Sequence, residues 1–312
     1  MPDVLTFGEA MAALRADRPL RLGGTLSLSV AGAEANVAIG LARLGHSVRW
    51  AGAVGEDEFG GLVLRTLRAE GVDVSHVAVD PAAPTGLVVF EPRVADLTRV
   101  SYYRSGSAGS RLAPAAMAGA LAEGARIVHL TGITAALGPG PRAAVEIAAR
   151  APGGAVCLDV NYRAKLWSRE EAAAALRPLV PLLDIVVASD DELALVAPPG
   201  AEHEAECVEA LLAQGVGEVV VKRGAAGAEV FTAYGAVARP AVRVPVRDTV
   251  GAGDAFVAGY LSGLLDGLPV AGRLDRAVTT GAFAVAAAGD WEGLPFREEL
   301  TLLDAAPGTA LR

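Results

Sequence analysis

Apolar and polar positions along the chain fall into two alternating registers. Short apolar runs rich in β-branched residues, at 4–8, 48–54, 126–130, 155–160, 184–188, 218–222 and 228–231, read as buried strands. Between them lie Ala- and Leu-rich segments of helical spacing, at 34–44, 59–70, 141–150, 169–176, 204–214, 252–265 and 273–287. This alternation predicts βα units around a mostly parallel sheet, an α/β fold in a single domain over 1–312. The Ala-rich stretches 113–125 and 143–151 also suit helices. Two regions depart from the rhythm. Residues 24–30 and 85–103 alternate apolar with polar positions as a half-exposed sheet does, so segments at about 12–31 and 85–105 are expected to form a small sheet beside the main one. No internal repeat or linker marks a second domain, and the tail after Leu303 is expected to be loosely ordered.

Composition narrows the function classes. Of 312 residues 52% are hydrophobic, and 27 basic against 36 acidic side chains leave a formal charge of −9. A general footprint for nucleic acid or anionic lipid needs the opposite balance, so neither is expected as a partner. Two cysteines, Cys157 and Cys207, make neither a disulfide framework nor a four-ligand zinc site, which fits reduced thiols in the cytoplasm. The opening MPDVLTFGEAM lacks a signal-peptide pattern, and the apolar stretches are too short or interrupted to span a bilayer, as Asp254 and Asp266 interrupt 252–266. GxxxxGK[ST], GxGxxG after the first strand, GxSxG, HExxH and CxxC are all missing. The four histidines share no ligand spacing.

The strongest local signal is Asp248-Thr249-Val250-Gly251-Ala252-Gly253-Asp254, a glycine-rich turn feeding a helix. Unhindered amides at Gly251, Ala252 and Gly253, aligned with a helix dipole, suit a phosphate or another anion. Asp254 in the first helical turn reads either as a plain N-cap carboxylate or as a base. An acid beside an anion cradle is unfavourable for merely holding phosphate but useful for accepting a proton from an attacking hydroxyl, which describes phosphoryl transfer to an alcohol.

Residues 248–254 match the D-T-x-G-A-G-D signature of the ribokinase-like (PfkB) sugar kinases, and the chain resembles that family from Val4 to about Gly293. An N-terminal counterpart is present as Ala31-Gly32-Ala33-Glu34-Ala35-Asn36-Val37-Ala38, followed by the second glycine motif at 52–60. The resemblance implies a three-layer α/β/α core with a small β-sheet lid, lids that pair into dimers, and ATP and Mg²⁺ as cofactors, with a monovalent cation left open. It implies Asp254 as base, with Gly251, Ala252 and Gly253 as anion hole, and a sugar site at Gly32, Ala33 and Asn36. Gly32 lets a hydroxylated substrate approach the backbone and Asn36 offers a donor and an acceptor.

Substrate identity is expected to rest on Tyr102, Tyr103 and Arg104 at the end of the alternating region and on Arg163 in Asp159-Val160-Asn161-Tyr162-Arg163. Two arginines converging on one pocket suit a carboxylate, which guanidinium holds bidentately. These motifs resemble the 2-keto-3-deoxygluconate kinase subgroup, which implies transfer to the terminal hydroxyl of that keto acid. A kinase of a neutral sugar such as fructose or ribose, and a non-catalytic sugar-binding regulator on the same fold, are the alternatives. On the nucleotide side the resemblance implies Lys222, Gly224 and Gly227 of a K-x-G-x-x-G turn, Thr249, Gly251, Gly253 and Ser189. Glu192 stands at the family's metal-supporting carboxylate, acting through water. Ser189 replaces the family's Asn, and residues 281–293 hold no Asn to approach adenine.

Overall fold

The computed structural model describes residues 1–94, 97–151 and 153–304; the expectation for the tail beyond them lies outside the described residues. Its strands are β1 (Val4–Gly8), β2 (Met11–Ala16), β3 (Leu26–Ala31), β4 (Val48–Gly55), β5 (Ala78–Asp80), β6 (Leu87–Val94), β7 (Leu97–Tyr103), β8 (Ile127–Thr131), β9 (Ala155–Asp159), β10 (Ile185–Ser189), β11 (Glu218–Lys222), β12 (Ala228–Thr232) and β13 (Gly235–Arg239). Its helices are α1 (Ala33–Arg43), α2 (Glu58–Ala69), α3 (Pro114–Glu123), α4 (Gly132–Ala136), α5 (Pro139–Ala148), α6 (Arg169–Leu176), α7 (Glu204–Ala213), α8 (Ala252–Leu265) and α9 (Val270–Ala286).

Among the described residues, nine strands form the main sheet in the order β13-β12-β11-β10-β9-β8-β1-β4-β5, parallel except where β12 pairs antiparallel with β11 and β13. Alternate strand side chains feed two cores. Leu5, Phe7, Val128, Leu130, Val186 and Val219 pack with α3, α5, α6 and α7 on one face, and Val4, Trp50, Ile127, Val187 and Val220 pack with α1, α2, α8 and α9 on the other. Because both faces are covered, these strands are near-continuous apolar runs, which is why the sequence shows them clearly. Four further strands, in the order β3-β2-β6-β7, make a separate small sheet. The fold is therefore a three-layer α/β/α core with a small second sheet, the arrangement that the family resemblance implies.

Strand order reverses between β1 and β8: β4 and β5 lie to one side, β8 to β11 to the other. Crevices form outside the carboxyl ends of strands at such a point. The ends of β1, β8, β9, β10 and β11 bring Glu9, Thr131, Asp159, Ser189 and Lys222 to this edge. The elements not anticipated are short or weakly apolar: β5 has three residues, α4 five, and β13 carries Gly, Ala and Arg on an open edge. Helix α9 starts at Val270, because Pro269 is accommodated as its N-cap.

Candidate active site

Helix α8 opens on Gly251, whose φ of 75° is left-handed and whose backbone packs so tightly that a Cβ there would lie 1.9 Å from the Asp290 carbonyl oxygen. Only glycine satisfies both conditions. This geometry turns the chain sharply enough for the helix to begin at Ala252, and it aims the first amides outward. Among the described residues the Gly251, Gly253 and Asp254 amides meet no backbone acceptor, whereas the Ala252 amide donates to the Thr249 carbonyl at 3.4 Å. The cradle therefore offers the amides of Gly251, Gly253 and Asp254; Ala252, expected in the anion hole, is instead turned to the Thr249 carbonyl.

Asp254 is no N-cap; that place belongs to Gly251, and the carboxylate projects inward with 8% exposure. Asn36 Nδ2 donates to its Oδ2 at 2.8 Å and Asn161 Nδ2 to its Oδ1 at 3.4 Å. Burial pushes its carboxyl up to about 7; the Asn36 hydrogen bond works against the rise, Asp159 adds to it, and Arg163 and Lys222 oppose it. A carboxyl poised there accepts a proton readily near neutral pH. Asn161 holds a φ of 41°, an uncommon conformation for a residue with a side chain, two residues beyond the end of β9. That turn aims its amide at Asp254.

A cavity of about 480 Å³ separates this turn from the small sheet and is lined by Gly32, Ala33, Asn36, Tyr102, Arg104, Arg163, Thr249, Gly251, Gly253 and Asp254 among others. Gly32 lies against the Glu9 carbonyl, 2.6 Å from where a Cβ would stand. Tyr103 is not brought to this cavity. Successive strand residues face opposite ways, so Tyr102 points inward while Tyr103 is 62% exposed on the outer face.

The two arginines differ. Arg163 is exposed at the cavity wall, and Nη1 donates to the Tyr162 carbonyl at 3.0 Å. Arg104 is paired within the protein: its Nε donates to Glu9 Oε2 at 2.6 Å, and Ser107 Oγ donates to the other oxygen of that buried carboxylate. Lys165, which the motifs did not single out, also lines the cavity, with Nζ 2.8 Å from the Val100 carbonyl of β7. Glu34 is buried there as well; Thr131 and Thr134 donate to Oε1, Oε2 has no partner among the described residues, and burial pushes its pKa up.

On the other side of the turn, Lys222 ends β11 with Nζ 2.8 Å from Asp159 Oδ1 and 3.7 Å from where a Cβ of Gly253 would stand. Burial alone lowers its pKa, but the carboxylates of Asp159 and Glu192 outweigh that and the net shift is upward, so the ammonium stays charged. Gly224 and Gly227 close the tight turn that follows. Glu192 joins two strand ends: Oε1 accepts the Tyr162 amide at 2.7 Å and Oε2 the Ser189 amide at 2.8 Å. Ser189 Oγ donates to Asp191 at 2.6 Å. No cluster of three or more metal-ligating side chains occurs among the described residues. The oxygen donors present, Asp159 and Glu192, fit a hydrated Mg²⁺ that keeps its waters and takes its remaining ligands from substrate phosphates.

The profile described as pfkB family carbohydrate kinase matches residues 1–297. The chain belongs to that family. This carbohydrate kinase is 39% identical to a 2-dehydro-3-deoxygluconokinase of Thermoproteus tenax, covering 98% of this chain and 95% of the relative. It is 36% identical to the 2-dehydro-3-deoxygluconokinase of Bacillus subtilis (strain 168), over 98% and 97% of the two chains. Among solved structures it is similar to a putative ribokinase II from E. coli in complex with ATP and Mg²⁺, with a TM-score of 0.89 at 25% identity over 97% and 99% of the chains. Among its described residues no helix is long and apolar enough to cross a membrane.

Glu9 and Lys165 lie outside the quoted motifs, whereas Glu34, Asp159 and Asn161 stand inside them with no role assigned by the sequence. Asp159 and Glu9 sit where buried strands end, and a carboxylate directly after an apolar run is the available signal. For Lys165 no local pattern distinguishes it from a solvated residue.

Proposed function

We propose that this carbohydrate kinase transfers the γ-phosphoryl group of ATP to the terminal hydroxyl of 2-keto-3-deoxygluconate, giving the 6-phospho sugar acid. The observation that carries this reading is the buried Asp254 carboxyl, raised to about 7, beside three unengaged amides and the charged Lys222. Asp254 takes the proton of the sugar hydroxyl as its oxygen bonds to the γ-phosphorus; the bond to the bridging oxygen breaks, and ADP leaves with that electron pair. Asn36 and Asn161 orient the carboxylate. The Gly251, Gly253 and Asp254 amides stabilise charge on the transferring group, and Lys222 neutralises the phosphates. Mg²⁺ would supply charge neutralisation to the nucleotide phosphates, and Asp159 and Glu192 would hold it through its water shell, the oxygens of Glu192 being fixed by backbone amides. Thr249, Gly224, Gly227 and Ser189 would line the nucleotide side.

A carboxylate-bearing substrate is supported by the cations on the cavity wall, Arg163 and Lys165 above all, with Arg104 turned partly to Glu9. Gly32, Ala33, Asn36 and Tyr102 receive the hydroxylated chain. The small sheet acts as a lid whose closure excludes water and so favours transfer to sugar over hydrolysis. Its outer face carries exposed Leu26, Leu28, Leu97 and Tyr103, which supports pairing of two lids in a dimer. The two buried, unpaired cysteines fit a reducing, cytoplasmic setting.

Coupled ADP release over a panel of sugar acids and neutral hexoses tests the substrate class, with and without added potassium to decide the remaining cofactor. Turnover with 2-keto-3-deoxygluconate at a kcat/KM at least about tenfold above fructose or ribose is expected. Preference for a neutral sugar contradicts the reading.

A further inference from the structure

The small sheet is fastened to the catalytic turn through one short segment. Three consecutive residues after α9 each bond to it: Arg15 Nη2 of β2 donates to Asp290 Oδ1 at 2.5 Å, Trp291 Nε1 donates to the Val30 carbonyl of β3 at 3.0 Å, and Ser29 Oγ of β3 donates to Glu292 Oε1 at 2.5 Å. The same Arg15 reaches the start of the turn, where Nη1 donates to Asp248 Oδ2 at 2.8 Å. Asp248 in turn accepts the Val250 amide on Oδ1 at 3.1 Å. The carbonyl of Asp290 is the atom against which Gly251 packs. One guanidinium on the small sheet therefore holds both shoulders of the anion-binding turn.

Arg15 is fixed for this task. It stacks on Phe90 of β6, with Cζ 4.1 Å from the ring centroid, and its side chain is 22% exposed. It does not line the cavity. Asp290 is 7% exposed, so without Arg15 two carboxylates, one of them buried, would face each other uncompensated.

We infer that Arg15 is a positioning residue for phosphoryl transfer: by clamping Asp248 and Asp290 to the small sheet, it sets the geometry of the 251–254 turn and makes that geometry depend on where the sheet sits. The catalytic part of this inference rests on the kinase reading above. The structural part does not, because the clamp is defined by contacts within the protein.

Arg15→Ala and Arg15→Lys test it through steady-state kinetics and hydrogen exchange of the amides at 249–254. Arg15→Ala is expected to lower kcat about 10- to 100-fold while KM for the sugar acid stays within about threefold, since displacement of a catalytic group by about 1 Å costs on that order. Added guanidinium ion at millimolar concentration restores part of the lost kcat, and Arg15→Lys, which keeps the charge but not the fork, falls between. In Arg15→Ala, exchange at 249–254 accelerates while the main-sheet amides keep their protection. Unchanged exchange at the turn overturns the inference, as does a global loss of protection or an Arg15→Ala kcat equal to that of the parent. If the unsubstituted protein phosphorylates no sugar, the functional reading fails and the exchange measurement alone decides the clamp.

Discussion

At the scale of single residues, the chemistry of the site turns on charges that the fold has moved out of water. Folded Asp254 holds its proton to about 7, against 3.8 for an ordinary aspartate. If it is the base, kcat/KM rises with pH along a limb centred near 7, and Asp254→Asn abolishes that limb; a profile flat through this range contradicts the assignment. The same shift has a stability consequence of opposite sign. Between those two values the folded state binds more protons than the unfolded one, so Asp254 costs stability as pH rises through the window. Calorimetry should therefore find that Asp254→Asn loses less melting temperature than the parent as pH rises from about 4 to about 7. Arg104 illustrates a second consequence of burial. Its pairing with Glu9 means that Arg104→Ala leaves a buried carboxylate short of its counter-charge, with an expected loss of about 3–5 kcal/mol by denaturant unfolding, partly recovered by adding Glu9→Gln. Arg163, exposed at the cavity, is the cleaner specificity probe. Arg163→Ala is expected to raise KM for the sugar acid while leaving stability within about 0.5 kcal/mol.

At the scale of elements, the turn into α8 is where local sequence and tertiary packing agree most closely. Gly251→Ala puts a Cβ into the Asp290 carbonyl at a positive φ. It should cost roughly 1–3 kcal/mol from backbone conformation alone and lower kcat as well; an active, equally stable variant contradicts the turn as described. The same agreement explains how much was legible beforehand. The central strands and long helices could be read because burial on both faces forces continuous apolar runs, and the DTVGAGD turn because its chemistry is local. Strand β2 falls within the expected small-sheet segment 12–31, yet its own sequence MAALRA is helix-forming, and it is extended because it pairs with β3 and β6. The Glu9–Arg104 and Lys222–Asp159 pairs join residues far apart in sequence, so neither partner announces the other. Tyr103 was misplaced by one step of strand alternation.

At the scale of the whole molecule, a cavity lies between the three-layer core and the small sheet, with the turn into α8 on its core side; in the proposed function the core binds the nucleotide and the small sheet covers the sugar. The exposed leucines of β3 sit on the face turned away from the cavity, on the row that pairs Leu28 with Leu14. A dimer built there should sediment at twice the 31.6 kDa chain mass, and Leu28→Lys should return it to the monomer. A parent protein that sediments as a monomer excludes this interface. The whole arrangement has one purpose in this account: to bring a sugar-acid hydroxyl to Asp254 under a closed lid. The most direct measurement is kcat for ATP-dependent phosphorylation of 2-keto-3-deoxygluconate by the Asp254→Asn protein, with nucleotide affinity measured alongside. A loss of about 10²- to 10⁴-fold in kcat with nucleotide binding retained is predicted; turnover equal to that of the parent would contradict it.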